Sequence, residues 1–134
     1  MISRKTRFSM LPVLALAVMA LALIPKAATI GEAHDLIQLV RTTLDGVDIG
    51  GRNPDRARAS LDSKLYGADI KLDQYKACDA FDKMVDFRDQ VSTMAVPNRK
   101  GETKIDPGDA GQLVSEAQDA IDCILQLDPT CDDL

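Results

Sequence analysis

Tryptophan is absent from this chain of 134 residues, and aromatic side chains of any kind are scarce, with two Tyr and three Phe. A core built from this sequence is therefore aliphatic, and a binding face of stacked rings has few rings to draw on. Histidine occurs once, at His34, and there is no C-x-x-C or H-x-x-x-H pair to make a zinc site. Calcium loops of the D-x-D-x-D-G type are also missing, although Asp45, Asp48, Asp106, Asp109, Asp128, Asp132 and Asp133 stand near expected helix ends. His34 lies beside Asp35 but has no nucleophile with an orienting partner at a recognisable spacing. No catalytic residue, metal or cofactor is assigned on these grounds. Sustained polar/apolar alternation is lacking too, which removes the case for a sheet.

One long apolar run is present, and it is at the start. Arg4, Lys5 and Arg7 form a basic segment, Met10 to Ile24 is uncharged and almost wholly apolar, and Ala20, Ala22, Ala27 and Ala28 supply small residues. This is the architecture of a secretory signal peptide, so residues 1–28 are set apart from the fold, with cleavage expected after Ala22 or Ala28. The run, broken by Pro12, is shorter than the roughly 20 residues a membrane-spanning helix needs, and an uncleaved anchor is the alternative. A secreted or periplasmic location follows, with no stable membrane insertion after cleavage. Losing residues 1–28 removes four cations and no acid, which takes the formal charge from -5 to -9. Such a balance repels phosphate backbones, and Lys and Arg form no stripe along a helix, so nucleic acid is not an expected partner. The acid excess reads as a solvated surface.

The remaining chain has the spacing of helices. Ala33, Leu36, Ile37, Val40, Leu44 and Val47 form the first apolar stripe, which ends at Gly50-Gly51. Asn53 and Pro54 stand as N-cap and first-turn residue of a second helix reaching about Lys71, with Ala57, Leu61, Leu65, Ala68 and Leu72 on one face. Gly67 inside it is read as admitting a close neighbour rather than as a break. A third helix is predicted over about Gln74 to Met94, with Cys78, Phe81, Met84, Val85, Arg88 and Val91 on its stripe. After a polar loop from Val96 to Ile105, Asp106 and Pro107 open a fourth helix carrying Ala110, Leu113, Val114, Ala117, Ile121, Ile124 and Leu125. Asp128-Pro129 ends it. The fold class is all-α: a small antiparallel four-helix bundle over residues 29–128, after an N-terminal signal peptide, with a flexible tail at 129–134.

LIQLV at 36–40, SLDSKL at 60–65 followed by Ala68 and Leu72, ACDAFDKMV at 77–85, and KID at 104–106 followed by Ala110, Leu113, Ala117 and Ile121 carry a resemblance. They look like the FIMAH (FIVAR-like) helical module of secreted bacterial and archaeal proteins, and the match spans nearly all of the chain after the leader. This chain departs from the module at Asp82-Lys83-Met84 and in a longer loop before Lys104. The resemblance implies an accessory or interaction domain and brings no catalytic residues.

Three cysteines in an exported chain make one disulfide and one thiol left over. Cys78 near the start of the third helix and Cys123 near the end of the fourth meet if those helices are antiparallel neighbours, so Cys78–Cys123 is the leading pair and Cys78–Cys131 its rival. In the leading arrangement Cys131 is free on the tail, which opens a disulfide-linked dimer. Tyr66, Tyr75 and Phe87 fall off the core stripes and form the candidate binding patch, the alternative being that they cap the ends of the bundle. Two functional classes stand. The first is a non-enzymatic exported module that binds a protein or cell-surface polymer. The second is a small extracytoplasmic ligand carrier or an enzyme with an unrecognised site, which would show a concave pocket with convergent polar groups.

Overall fold

Four helices follow one another along the chain, because four apolar stripes of period 3.6 are separated by glycine, proline and turn residues. The structure, a computed structural model, describes residues 28–133. The leader expected over 1–28 thus lies outside the described residues except for Ala28. We label the helices α1 (Ile30–Asp45), α2 (Pro54–Asp73), α3 (Ala77–Met94) and α4 (Pro107–Leu127), with a short 3-10 helix at Pro129–Asp133. Among the described residues there is no strand, and no helix is long and apolar enough to cross a membrane.

Each helix packs on two neighbours, α1 on α2 and α4, and α3 on α2 and α4, which closes a four-membered ring. The cross-links show the antiparallel order. His34 at the start of α1 meets Asp69 and Asp73 at the end of α2, while Arg58 at the start of α2 reaches the end of α1. Lys71 pairs with Asp79 across α2 and α3, and Arg88 donates to Gln118 across α3 and α4.

The interior is aliphatic, with one large ring in it. Ile37, Val40, Leu61, Leu65, Met84, Leu113, Ile121 and Ile124 are buried, and no polar or charged residue is buried among those described. The stripe of α3 differs in phase from the expected one. Ala80, Met84, Phe87, Val91 and Met94 are buried, while Phe81, Val85 and Arg88 are only half-buried. Phe87 is thus a core residue and not part of a surface patch. The physical reason is that Ala80-x3-Met84-x2-Phe87-x3-Val91-x2-Met94 is an unbroken run of three- and four-residue steps. It lets α3 face α2 and α4 together, and Phe81 and Val85 flank it.

Local chemistry sets the helix ends. Thr29 caps α1 by accepting from the Glu32 N–H at 3.1 Å, and Asp106 caps α4 by accepting from the Gly108 N–H at 3.0 Å. Asn53 stands before Pro54 as expected, but its side chain makes no capping bond. Arg58 donates to the carbonyls of Leu44 and Val47, which supplies a cation to the negative end of α1. Between α2 and α3 the Tyr75 N–H bonds the Leu72 carbonyl and the Lys76 N–H bonds the Lys71 carbonyl. That is a Schellman closure, with Tyr75 at φ 58° in the position glycine usually takes. It explains why α3 begins at Ala77 and not at Gln74. Gly67 does admit a neighbour: a Cβ built there would lie 3.6 Å from the Lys83 stem, reaching over from α3.

The tail is not free. The Asp128 carboxylate accepts from the Thr130 N–H and hydroxyl, turning the chain back into the 3-10 helix. Cys131 is buried there and bonded to Cys78, with a Cα–Cα distance of 4.9 Å. The expected pair Cys78–Cys123 is therefore replaced by its rival, and residues 129–133 belong to the folded unit. Cys123 faces inward on α4, close enough to Glu32 of α1 to feel its charge, and it is the free thiol. Bonded to Cys78, Cys131 has no thiol to offer the dimer expected through it.

Candidate functional site

The sites anticipated from sequence do not come together. Phe87 is in the core. Tyr66 is exposed on α2, where the Arg41 guanidinium lies 5.9 Å from its ring centroid. Tyr75 is more exposed still, at 84%, but it lies beyond the end of α2, separated from Tyr66 by about 10 Å of helix. Tyr75 lines a shallow cleft of about 230 Å3 with Ile30, Leu72, Ala77, Leu127 and Asp128. No aromatic patch is formed. Cys78, Asp128 and Cys131 are the one set with metal-ligand proximity among the described residues, but two of its three donors are spent on each other as a disulfide.

His34 is neither isolated nor paired with Asp35. Its Nδ1 lies 2.9 Å from Asp69 Oδ1 and its Nε2 lies 2.9 Å from Asp73 Oδ1. A neutral imidazole has one donor and one acceptor nitrogen, so only the imidazolium satisfies two carboxylates. Burial works against that charge, but hydrogen bonds to Asp69 and Asp73 and their negative charge outweigh it, and the pKa of His34 is raised above 6.5. Arg41, 3.2 Å from Asp62 and 4.0 Å from the second oxygen of Asp69, continues the same row. Every member of the row is matched within the chain, which makes it an α1–α2 clamp.

The opposite end of the bundle is different. The α1–α2 loop and the α3–α4 loop are sewn together there. The Gly50 N–H bonds the Lys104 carbonyl at 2.8 Å, and the N–H groups of Lys104 and Ile105 bond the Met94 carbonyl at 3.0 and 3.2 Å. Ile105 is buried and anchors the second loop. Asn98 stiffens its tip, since the side-chain oxygen accepts from the Lys100 and Glu102 N–H groups at 2.9 and 3.0 Å. Gly51, at φ 97°, lets the first loop turn close against the stem of Lys104.

Three open clefts run side by side across this end, of about 400, 300 and 630 Å3, all lined by Gly51 and Arg52. Between them they gather Arg52, Arg56, Arg99, Lys100 and Lys104, against one acid, Glu102. None of these five cations forms a salt bridge among the described residues; the same holds for Arg58, Lys64, Lys76 and Lys83, and what sets the five apart is that they line one surface. The uncapped first turn of α2 lines the inner end of the same surface and adds the partial positive charge of its free N–H groups, offset in part by Asp55. An acidic chain thus carries a concentrated, unpaired positive surface at one end.

Sequence reading missed this surface because Arg52 stands in the α1–α2 loop, Arg56 in the first turn of α2, and Arg99, Lys100 and Lys104 in the α3–α4 loop, and no helical stripe links them. The pairing of Gly50 with Lys104 is what unites them. Comparison with protein-family models, with curated proteins and with solved structures finds no match for this chain.

Proposed function

We propose that this protein is an exported helical interaction module, without chemistry of its own, that holds an anionic partner, a cell-surface polymer or an acidic protein, at the loop end of the bundle. One observation carries the reading. Five cations that form no salt bridge among the described residues line a pinned pair of loops and the first turn of α2, in a chain whose net charge is -5. Holding like charges together costs stability, and an opposite charge arriving from outside offsets that cost. The filled aliphatic interior agrees with a binding module rather than an enclosed ligand carrier. The resemblance to the FIMAH module supports an accessory role beside other extracellular proteins, and the Cys78–Cys131 disulfide supports an oxidising compartment. Ala28 packs against the core and Thr29 caps α1, which favours removal of the leader after Ala22, since a new ammonium at Thr29 would oppose the helix dipole.

Two measurements test the reading. The intact mass of protein from the exported fraction is expected to correspond to a chain starting at Leu23 with one disulfide; an uncleaved chain with three thiols overturns the exported part. At low salt and neutral pH the protein is expected to be retained by a sulfonated matrix despite its acidity. Arg52→Glu with Lys104→Glu abolishes retention, and Lys76→Glu, at the far end, leaves it unchanged. Equal behaviour of the two variants overturns the assignment to the loop end.

A further inference from the structure

We infer that the loop end is a track for a flexible linear polyanion, one that presents anionic groups at successive positions, and not a socket for a single compact anion. The inference rests on the proposed anion-binding role and adds the shape and class of the ligand. The three clefts are contiguous. Arg99 and Lys100 line only the outer cleft beside the Asn98 turn, Arg52 is common to all three, Lys104 lines the central cleft and its inner neighbour, and Arg56 lines only the inner one. Cations are therefore distributed along the run of clefts, from the α3–α4 loop tip to the first turn of α2. A site for one phosphate or carboxylate would instead converge several donors on one point, with some of them buried. Here Arg52, Arg56, Arg99, Lys100 and Lys104 are all exposed. Met94 and Val96 form an apolar wall to the central cleft, against which the carbon or sugar backbone between two anionic groups lies. Val96 is 65% exposed, so that wall is open to a ligand.

The backbone around the track is fixed before any ligand arrives. The Gly50–Lys104 and Lys104–Met94 hydrogen bonds hold the two loops in register, and Asn98 holds the tip that carries Arg99 and Lys100. Preordered loops reduce the entropy lost on binding, and each further anion then binds at a high effective concentration.

The test is calorimetric titration of the leader-free protein with three probes at matched ionic strength: inorganic phosphate, a linear polyphosphate of about ten units, and an oligogalacturonate of similar length. The polyphosphate is expected to bind at least about 100-fold more tightly than inorganic phosphate, as linked anions on linked sites do. Arg56→Ala and Lys100→Ala, at the two ends of the track, each weaken polymer binding several-fold. Binding of inorganic phosphate, which fills one position at a time, falls by less than polymer binding in both variants. Equal affinity of the oligogalacturonate supports a track read by charge spacing alone, and binding of polyphosphate without it supports a phosphate polymer. If inorganic phosphate binds as tightly as either polymer, the track is overturned while an anion-binding end stands. If none of the three probes binds, and the sulfonated matrix does not retain the protein, both fall together. Circular dichroism of each variant confirms that the helices are intact, because all the substituted side chains are exposed.

Discussion

His34 and Tyr75 are the two residues whose surroundings make the sharpest demands. His34 stands between Asp69 and Asp73, whose hydrogen bonds and negative charge outweigh burial and raise its folded pKa. A group whose pKa rises on folding stabilises the fold fully below its unfolded value, and that contribution is lost as pH climbs through the folded value. Melting temperature is therefore expected to decline as pH rises from the ordinary histidine value near 6.5 through the raised folded value. Because the chain has a single histidine, one imidazole resonance reports its titration directly. The double change Asp69→Asn, Asp73→Asn is expected to lower the midpoint and flatten the melting profile; an unmoved midpoint would show that the carboxylates do not hold the charge. Tyr75 poses the opposite case, a bulky residue in left-handed backbone with its ring in water. Tyr75→Gly relieves that conformation and is expected to stabilise by about 1 kcal/mol in urea unfolding, with little loss of packing. The sequence announced neither feature. A tyrosine in a glycine position carries no local signal, and the partner of His34 is 35 residues away rather than adjacent.

At the scale of the helices, most of the architecture was legible because period and end signals agree. The stripes of α1, α2 and α4 are buried almost as the spacing predicts, and Asp106-Pro107 and Asp128-Pro129 bound α4 as expected. The phase of α3 was not legible. Its two apolar series overlap, and the true one includes Ala80, whose single methyl carries little hydrophobic weight. Phe87→Ala is expected to cost about 3 to 5 kcal/mol, far more than Phe81→Ala at its half-buried position, which chemical denaturation of the two variants compares directly. Gly67 gives a test of the opposite sign. The helix runs through it unbroken, and a methyl group there meets only the flexible stem of Lys83 at ordinary contact distance. Gly67→Ala is thus expected to stabilise by about 0.5 to 1 kcal/mol, the difference in helix propensity. A loss of stability would show that Lys83 is held too firmly to yield.

At the scale of the molecule, the two ends of the bundle have separate duties. One end is closed covalently, through Cys78 at the start of α3 and Cys131 beyond α4, and the other presents two pinned loops and an unpaired positive surface. Neither duty shows in a helical period, since both depend on where the chain turns back. The side chain of Asp128 makes that turn at the closed end, and the Gly50–Lys104 bond makes the juxtaposition at the open one. The bridge spans 53 residues, and in the chain-entropy account a loop of that size stabilises by roughly 4 kcal/mol. For a small aliphatic bundle that is a large part of the usual 5 to 15 kcal/mol of total stability. Reductant is therefore expected to lower the melting temperature substantially. Cys131→Ser should reproduce the effect and abolish any further response to reductant, whereas Cys123→Ala should melt lower only by the small loss of its own packing and keep the response. Cys123 is buried, and burial and the nearby Glu32 raise its thiol pKa, so it should resist alkylation until the chain unfolds. Peptide mapping after alkylation of the unfolded, unreduced protein should find the label on Cys123 alone. Label on Cys131 instead would overturn the observed pairing and return residues 129–133 to a loose tail. It would leave the loop end, formed at the other pole of the bundle, as it is.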